Sequence, residues 1–194
     1  MREYSELEEI VEKLSDFNRF ERKFLEKRKV FLWGPVHDGS AERIINKLLY
    51  LDAEDPGKEI TFYINSPGGI VTSGMVIMDT MKMLQSPVST VCMGLAASMG
   101  SILLSAGVKG KRFIYPHGRV MIHQPSIGGV FGQATDIEIT TKEILKTKEL
   151  SAHILADNCG QKFKKVMKDF DRDYWMNADE SLEYGIVDAV KEDL

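Results

Sequence analysis

Cysteine is scarce: Cys92 and Cys159 are the only two among 194 residues, and neither belongs to a CxxC pair. A disulfide framework and a cysteine zinc site are therefore not indicated, and a reducing compartment fits. Basic charge is not in excess either, since 25 Lys and Arg stand against 29 Asp and Glu for a net charge of -4. No field is available to hold a phosphate backbone, which argues against a nucleic-acid partner. Two uncharged runs, 60–78 and 83–108, approach the length of a membrane span, but Asn, Pro, Gly and Ser interrupt both. They read as globular interior, so no membrane is expected. The first residues, MREYSELEEIVEKLSDF, lack a basic start leading into an apolar stretch and are too acidic for a transit peptide; a cytoplasmic location is expected. HExxH, EF-hand and Walker A patterns are missing, and GVKGKR lacks the glycine spacing of a phosphate loop. Neither metal nor nucleotide cofactor is expected of this chain.

What is present is an ordinary globular composition, 43% hydrophobic and 28% charged, enough for one substantial core. Residues 1–29 are rich in charge, and Leu7, Ile10, Val11 and Leu14, extended by Phe17, Phe20, Phe24 and Leu25, follow a helical spacing. That segment is either a helix packed on the domain or a surface for another chain. From Val30 onward strands and helices alternate: VFLWG, a helix over about 40–51, ITFYIN ending in SPGG, a helix over about 72–84, VSTVCMG, and a small-residue helix over about 98–106. After a Gly-Lys-Gly turn come short strands RFIYP and RVMIH, then QPSIGGVFGQ, too rich in Gly and Pro for a central element and expected to be a loop. A long helix over 133–158 ends at Gly160, and a short basic helix lies around 162–168. DRDYWMN reads as a loop, ADESLEY as a helix stopped by Gly185, and IVDAV as a last strand. The pattern is an α/β domain with a largely buried sheet.

The sharpest chemical signal is Ala96-Ala97-Ser98-Met99-Gly100, a serine between small residues at a strand-to-helix junction. A tight turn there exposes a hydroxyl beside free helix N–H groups, as in a nucleophile elbow; close packing of a helix on a sheet is the alternative. A serine nucleophile needs a base. Of the four histidines, His37 lies in a turn, His117 in a Pro-His-Gly turn and His153 on the long helix, whereas His123 closes an apolar strand. Strand carboxyl ends are where open α/β sheets place their sites, so His123 is the best candidate, with a structural core imidazole as the alternative. Ser66-Pro67-Gly68-Gly69 can present backbone N–H groups to an anion or simply make a turn. The orienting acid is undecided by chemistry alone among 29 carboxylates; Asp171-Arg172-Asp173 is one candidate loop, and a solvated turn is its alternative.

The ordered set YINSPGG (63–69), MGLAASMG (93–100), KGKRF (109–113), RVMIHQP (119–125), GQATDIEI (132–139) and EYGIVD (183–188) resembles the signatures of the ClpP family, the proteolytic subunits of Clp proteases. The resemblance runs from about residue 30 to 190. It implies a ClpP/crotonase-like fold of repeated strand-strand-helix units with a protruding helix-plus-strand handle over about 124–158. It implies a serine peptidase domain at 30–194, with residues 1–29 as a separate N-terminal charged helical or axial segment, and a triad of Ser98, His123 and Asp173. The backbone N–H groups of Gly69 and Met99 are then the oxyanion hole, and Arg172 with Asp171 the ring-contact pair. The implied assembly is two stacked heptameric rings fed with unfolded polypeptide by a hexameric AAA+ unfoldase of the ClpX, ClpA or ClpC type, which uses the ATP.

Two departures from the family pattern stand out: residues 1–29 do not resemble its axial segment, and PSIGGVFGQ carries one residue more than is usual. They motivate a second reading, a dormant or structural ring subunit that needs a related partner subunit and so forms hetero-oligomers. A crotonase-type acyl-CoA enzyme is a third, because that group shares the fold and the use of backbone N–H groups on an oxyanion.

Overall fold

The computed structural model describes residues 19–129 and 131–192. Leu7, Ile10, Val11, Leu14 and Phe17 of the amphipathic stripe lie outside the described residues; its continuation forms helix α1 (residues 19–26), whose Leu25 packs against the core. Strand β1 (Lys29–Trp33) leads to α2 (Asp38–Glu54), β2 (Ile60–Ser66), α3 (Val71–Met83), β3 (Val88–Ala97) and α4 (Met99–Ser105). Then come β4 (Arg112–Ile114), β5 (Arg119–Ile122), α5 (Ala134–Cys159), α6 (Phe163–Asp169), β6 (Tyr174–Met176), α7 (Ala178–Tyr184) and β7 (Ala189–Val190). Among the described residues no helix is long and apolar enough to cross a membrane.

The strands form one sheet in the order β1-β2-β3-β4-β7, parallel throughout, with β5 branching from the end of β3 and β6 pairing antiparallel to β5. Parallel strands covered by helices must bury apolar side chains, and they do: Val30, Leu32, Ile60, Phe62, Ile64 and Cys92 meet Leu48, Leu51, Ile77 and Leu103 in the main core. The other face carries the cross-strand row Phe31, Tyr63, Val91 and Phe113. Its first two rings stack with centroids 4.9 Å apart. Burial pushes the thiols of Cys92 and Cys159 up to about 12, so both remain protonated and unreactive.

One irregularity places the site. The pairs Ile64↔Cys92 and Ser66↔Ala96 show that β3 accommodates two residues more than β2 between them, a bulge at Met93–Leu95 where Gly94 takes a φ of 93°. The bulge divides β3: Thr90–Cys92 pair with β4, and Leu95–Ala97 pair with β5. The last half-strand is thereby aimed at β5.

Several expectations are corrected in detail. DRDYWMN is not all loop, because Tyr174–Met176 pair with β5 as β6; three aromatic or sulfur side chains too few for a periodic signal become a strand only when a partner edge is available. The last strand shrinks to Ala189–Val190, while Ile186 and Val187 are buried outside it. Strand β3 runs on through MGLAA, and α2 begins at Asp38 because His37 caps it: its Nδ1 accepts from Ser40 N at 3.3 Å and Ser40 Oγ accepts from His37 N at 2.9 Å. The long helix is confirmed from Ala134, but the described residues between His123 and Gln133 form no strand.

The chain's carboxyl end is fastened by a buried ion pair. Arg112 Nε and Nη2 donate to Asp188 Oδ2 and Oδ1 at 2.8 and 2.5 Å, and the backbone N–H groups of Gly110 and Arg112 donate to the same carboxylate. Burial raises the Asp188 carboxyl more than any single contact lowers it, but these hydrogen bonds together hold it below the ordinary carboxylate value. A depressed folded value means that the stabilisation is present above the unfolded pKa and is lost as pH falls through the folded one. Asp188→Ala is expected to cost about 3 kcal/mol by leaving Arg112 buried and unpaired. Thermal unfolding at neutral pH measures this cost, and the gap to wild type should narrow as the solution is acidified.

Candidate active site

The registers bring three chain-distant residues to one end of the sheet. Ala97 pairs with Met121 across β3 and β5, and Ser98 N donates to Met121 O at 2.9 Å, so Ser98 lies beside the end of β5. Ile122 pairs with Tyr174 across β5 and β6, so one step further His123 meets Asp173. Their side chains touch, with His123 Nδ1 3.0 Å from Asp173 Oδ1. That contact leaves Nε2 as the free imidazole nitrogen. The Ser98 hydroxyl makes no hydrogen bond to the imidazole in the isolated chain.

Ser98 caps α4 with φ 53° and ψ −123°, one of two non-glycine residues at positive φ among those described. Such a conformation costs about 1–3 kcal/mol and persists only where the surroundings impose it. Here the β3–β5 register holds the residue before it, and Ser101 Oγ and the N–H groups of Ser101 and Ile102 close on its carbonyl. The hydroxyl is thus presented at the end of the sheet while its backbone is fixed.

The Ser66–Gly69 loop abuts this turn. Gly68 has φ 89°, and a Cβ there would stand 2.6 Å from Ser98 Cβ, 2.7 Å from Ala97 O and 2.8 Å from Met99 N. Only glycine allows that approach. Gly69 bridges Val36 on its other side, and neither its N–H nor that of Met99 is given to another group among the described residues. Two free backbone donors thus belong to adjoining turns, the arrangement an oxyanion requires.

The loop bearing Asp173 is tied to the residue after His123. Gln124 N donates to Phe170 O at 2.7 Å, and Gln124 Nε2 donates to Asp171 O at 2.7 Å and Oδ1 at 3.2 Å. Lys148 of α5 lies 3.6 Å from Asp171 Oδ1. Arg172 donates to the Asp171 carbonyl and leaves most of its guanidinium in solvent. Behind the loop, Tyr184 Oη donates to Asp169 Oδ2 at 3.1 Å; burial first, and then the Asp169 charge, push that phenol far above its ordinary value.

Among the histidines, His123 follows the strand that Ser98 N bonds to, whereas His37 is a helix cap and His153 stacks on Phe163 with centroids 4.1 Å apart. Val36 and Gln124 are contributors that the sequence gives little means to find. Val36 acts through a backbone bridge across 33 positions, and the only local sign of Gln124 is its place after a strand end. No cluster of three or more His, Cys, Asp or Glu suited to a metal ion occurs among the described residues. A family model described as Clp protease matches residues 12–193 of the chain.

Proposed function

Because the chain belongs to the Clp protease family, we propose that it is the serine endopeptidase subunit of a self-compartmentalising Clp protease, with Ser98 as nucleophile, His123 as general base and Asp173 as the acid that orients the imidazole. The observation that supports this reading is the convergence of β3, β5 and β6, in which Ser98 N bonds to β5, the strand that His123 follows, His123 lies 3.0 Å from Asp173, and the Gly69 and Met99 N–H groups belong to the adjoining turns. Ser98 Oγ attacks the peptide carbonyl and His123 Nε2 takes its proton. The tetrahedral oxyanion is held by the two N–H groups, His123 protonates the leaving amine, and water then releases the acyl-enzyme by the same steps. The missing Ser98–His123 hydrogen bond is expected to close in the assembled or substrate-bound protein, as catalytic hydrogen bonds commonly do.

The family implies an oligomeric protease that works with Clp ATPases, and the surface of this chain supports assembly. Leu49, Tyr50, Val76 and Met83 are exposed on α2 and α3, as are Ile139, Leu145 and Leu150 on α5. Exposed apolar side chains such as these are what a contact with other subunits would cover. We assign α5 and the Gly-rich stretch before it to the contact between two stacked heptameric rings, and exposed Arg172 with Asp171 to a link between that contact and the Asp173 loop. A hexameric AAA+ unfoldase of the ClpX, ClpA or ClpC type supplies unfolded polypeptide and uses the ATP, so this chain needs no cofactor.

The test is hydrolysis of a fluorogenic peptide by the purified protein on samples whose assembled mass is measured in parallel. Turnover by a tetradecamer supports the reading; an assembled but inactive particle returns the dormant-subunit alternative. Gly68→Ala gives a second check, since the three nearest atoms to the new Cβ are the Ser98 Cβ and adjoining backbone, none free to move aside. We expect turnover to fall by at least about 100-fold, comparable to loss of one oxyanion donor. Labelling by a serine-directed fluorophosphonate reports whether the nucleophile itself is displaced.

A further inference from the structure

The aim of the Gly69 N–H is set by a neighbour outside the three strands that carry the triad. Val36 N donates to Gly68 O and Ile70 N donates to Val36 O, both at 2.8 Å, and a Cβ on Gly69 would come within 2.2 Å of Val36 O. Val36 follows the end of β1, is joined to the glycine loop by a single bridge, and needs support of its own. Part comes from the His37–Ser40 capping box, in which Ser40 Oγ also donates to Pro35 O at 3.1 Å. The rest comes from Asp38, whose Oδ1 accepts a 2.5 Å hydrogen bond from Ser73 Oγ. Ser73 is buried in the first turn of α3, the helix that starts directly after Gly69 and Ile70. The bond therefore closes a ring that runs Val36, His37, Asp38, across to Ser73, and back through Ile70 to Gly69.

We propose that Asp38 and Ser73 are positioning residues for peptide hydrolysis, holding Val36 against the glycine loop so that the Gly69 N–H points at the developing oxyanion; this rests on the peptidase reading above. A serine within a helix can satisfy its hydroxyl on its own preceding turn. Ser73 instead reaches a carboxylate 35 positions away, joining the two segments between which Gly69 is set. Oxyanion donors act only within a few tenths of an ångström of the correct place, so slack in this ring is felt in the transition state more than in substrate binding.

Ser73→Ala and Asp38→Ala are each expected to lower kcat about tenfold with KM unchanged, and to weaken a peptide boronate by the same factor, because the tetrahedral boron adduct places an oxygen where the oxyanion sits. Asp38→Asn keeps an oxygen acceptor for the Ser73 hydroxyl and should retain nearly full rate. The double alanine variant should be no worse than either single one, since both remove one bond. A kcat within twofold of wild type in both alanine variants overturns the proposal. So does a loss of rate without matching loss of boronate affinity, or one that accompanies loss of assembled mass. Ser98→Ala is assayed alongside: if it retains turnover, the peptidase reading fails, whereas a dead Ser98→Ala beside fully active Asp38 and Ser73 variants removes this inference alone.

Discussion

Ser98→Ala should lower peptide hydrolysis by at least about 10⁴-fold and leave the assembled mass unchanged. The size follows from the role: removing the nucleophile of a serine triad leaves only what binding and the oxyanion donors supply. The specificity of the effect follows from the structure. Everything that shapes the turn is backbone or belongs to a neighbour, including the bond from Ser98 N to Met121 O and those from Ser101 and Ile102 to the Ser98 carbonyl. Alanine keeps the Cβ that sits against Gly68 and meets the same positive φ, so the elbow is preserved without its hydroxyl. Turnover of acyl-CoA substrates that survives in Ser98→Ala would favour the crotonase-type alternative, whose chemistry has no use for this hydroxyl. Peptide hydrolysis that survives would remove Ser98 as nucleophile.

The candidate site is legible in the sequence to the extent that its pieces are local. Small residues around Ser98 mark a tight strand-to-helix turn, paired glycines mark exposed backbone, and His123 follows an apolar run; each is a consequence of chemistry within about seven positions. Asp173 was of another kind. Nothing in Asp171-Arg172-Asp173 distinguishes it from a solvated turn, and it was the resemblance to a family that named it. The physical cause of its position is the antiparallel β5–β6 pairing, and β6 is the strand that the sequence reads as loop. The bulge at Met93–Leu95 was equally silent: VSTVCMGLAA reads as an apolar run with no sign that its two halves pair with different strands. Long-range register, rather than propensity, turns recognisable motifs into one constellation. The same holds for Val36, which contributes through its backbone and therefore leaves no trace in side-chain pattern.

Asp173→Asn should lower kcat by about 10⁴-fold with little change in KM or assembled mass, because the amide fills the same space but can hold the imidazole with the wrong nitrogen protonated. His123 Nδ1 lies 3.0 Å from Asp173 Oδ1; in the proposed orienting role the carboxylate accepts a hydrogen bond from Nδ1–H, the tautomer in which Nε2 is the base toward Ser98. Half of the Asp173 side chain or more is exposed in the isolated chain, at 58%, so the His123–Asp173 contact adds little to folding. The loop does not depend on it, since Gln124 holds Phe170 and Asp171 through three hydrogen bonds that the substitution leaves alone. A structural role for Asp173 would lower stability and rate together. An orienting role lowers the rate at constant unfolding temperature, and labelling of Ser98 by a fluorophosphonate slows in parallel because the base no longer takes its proton. Near wild-type turnover would reject the orienting role and reopen the choice of acid, with Asp171 the other carboxylate of the loop.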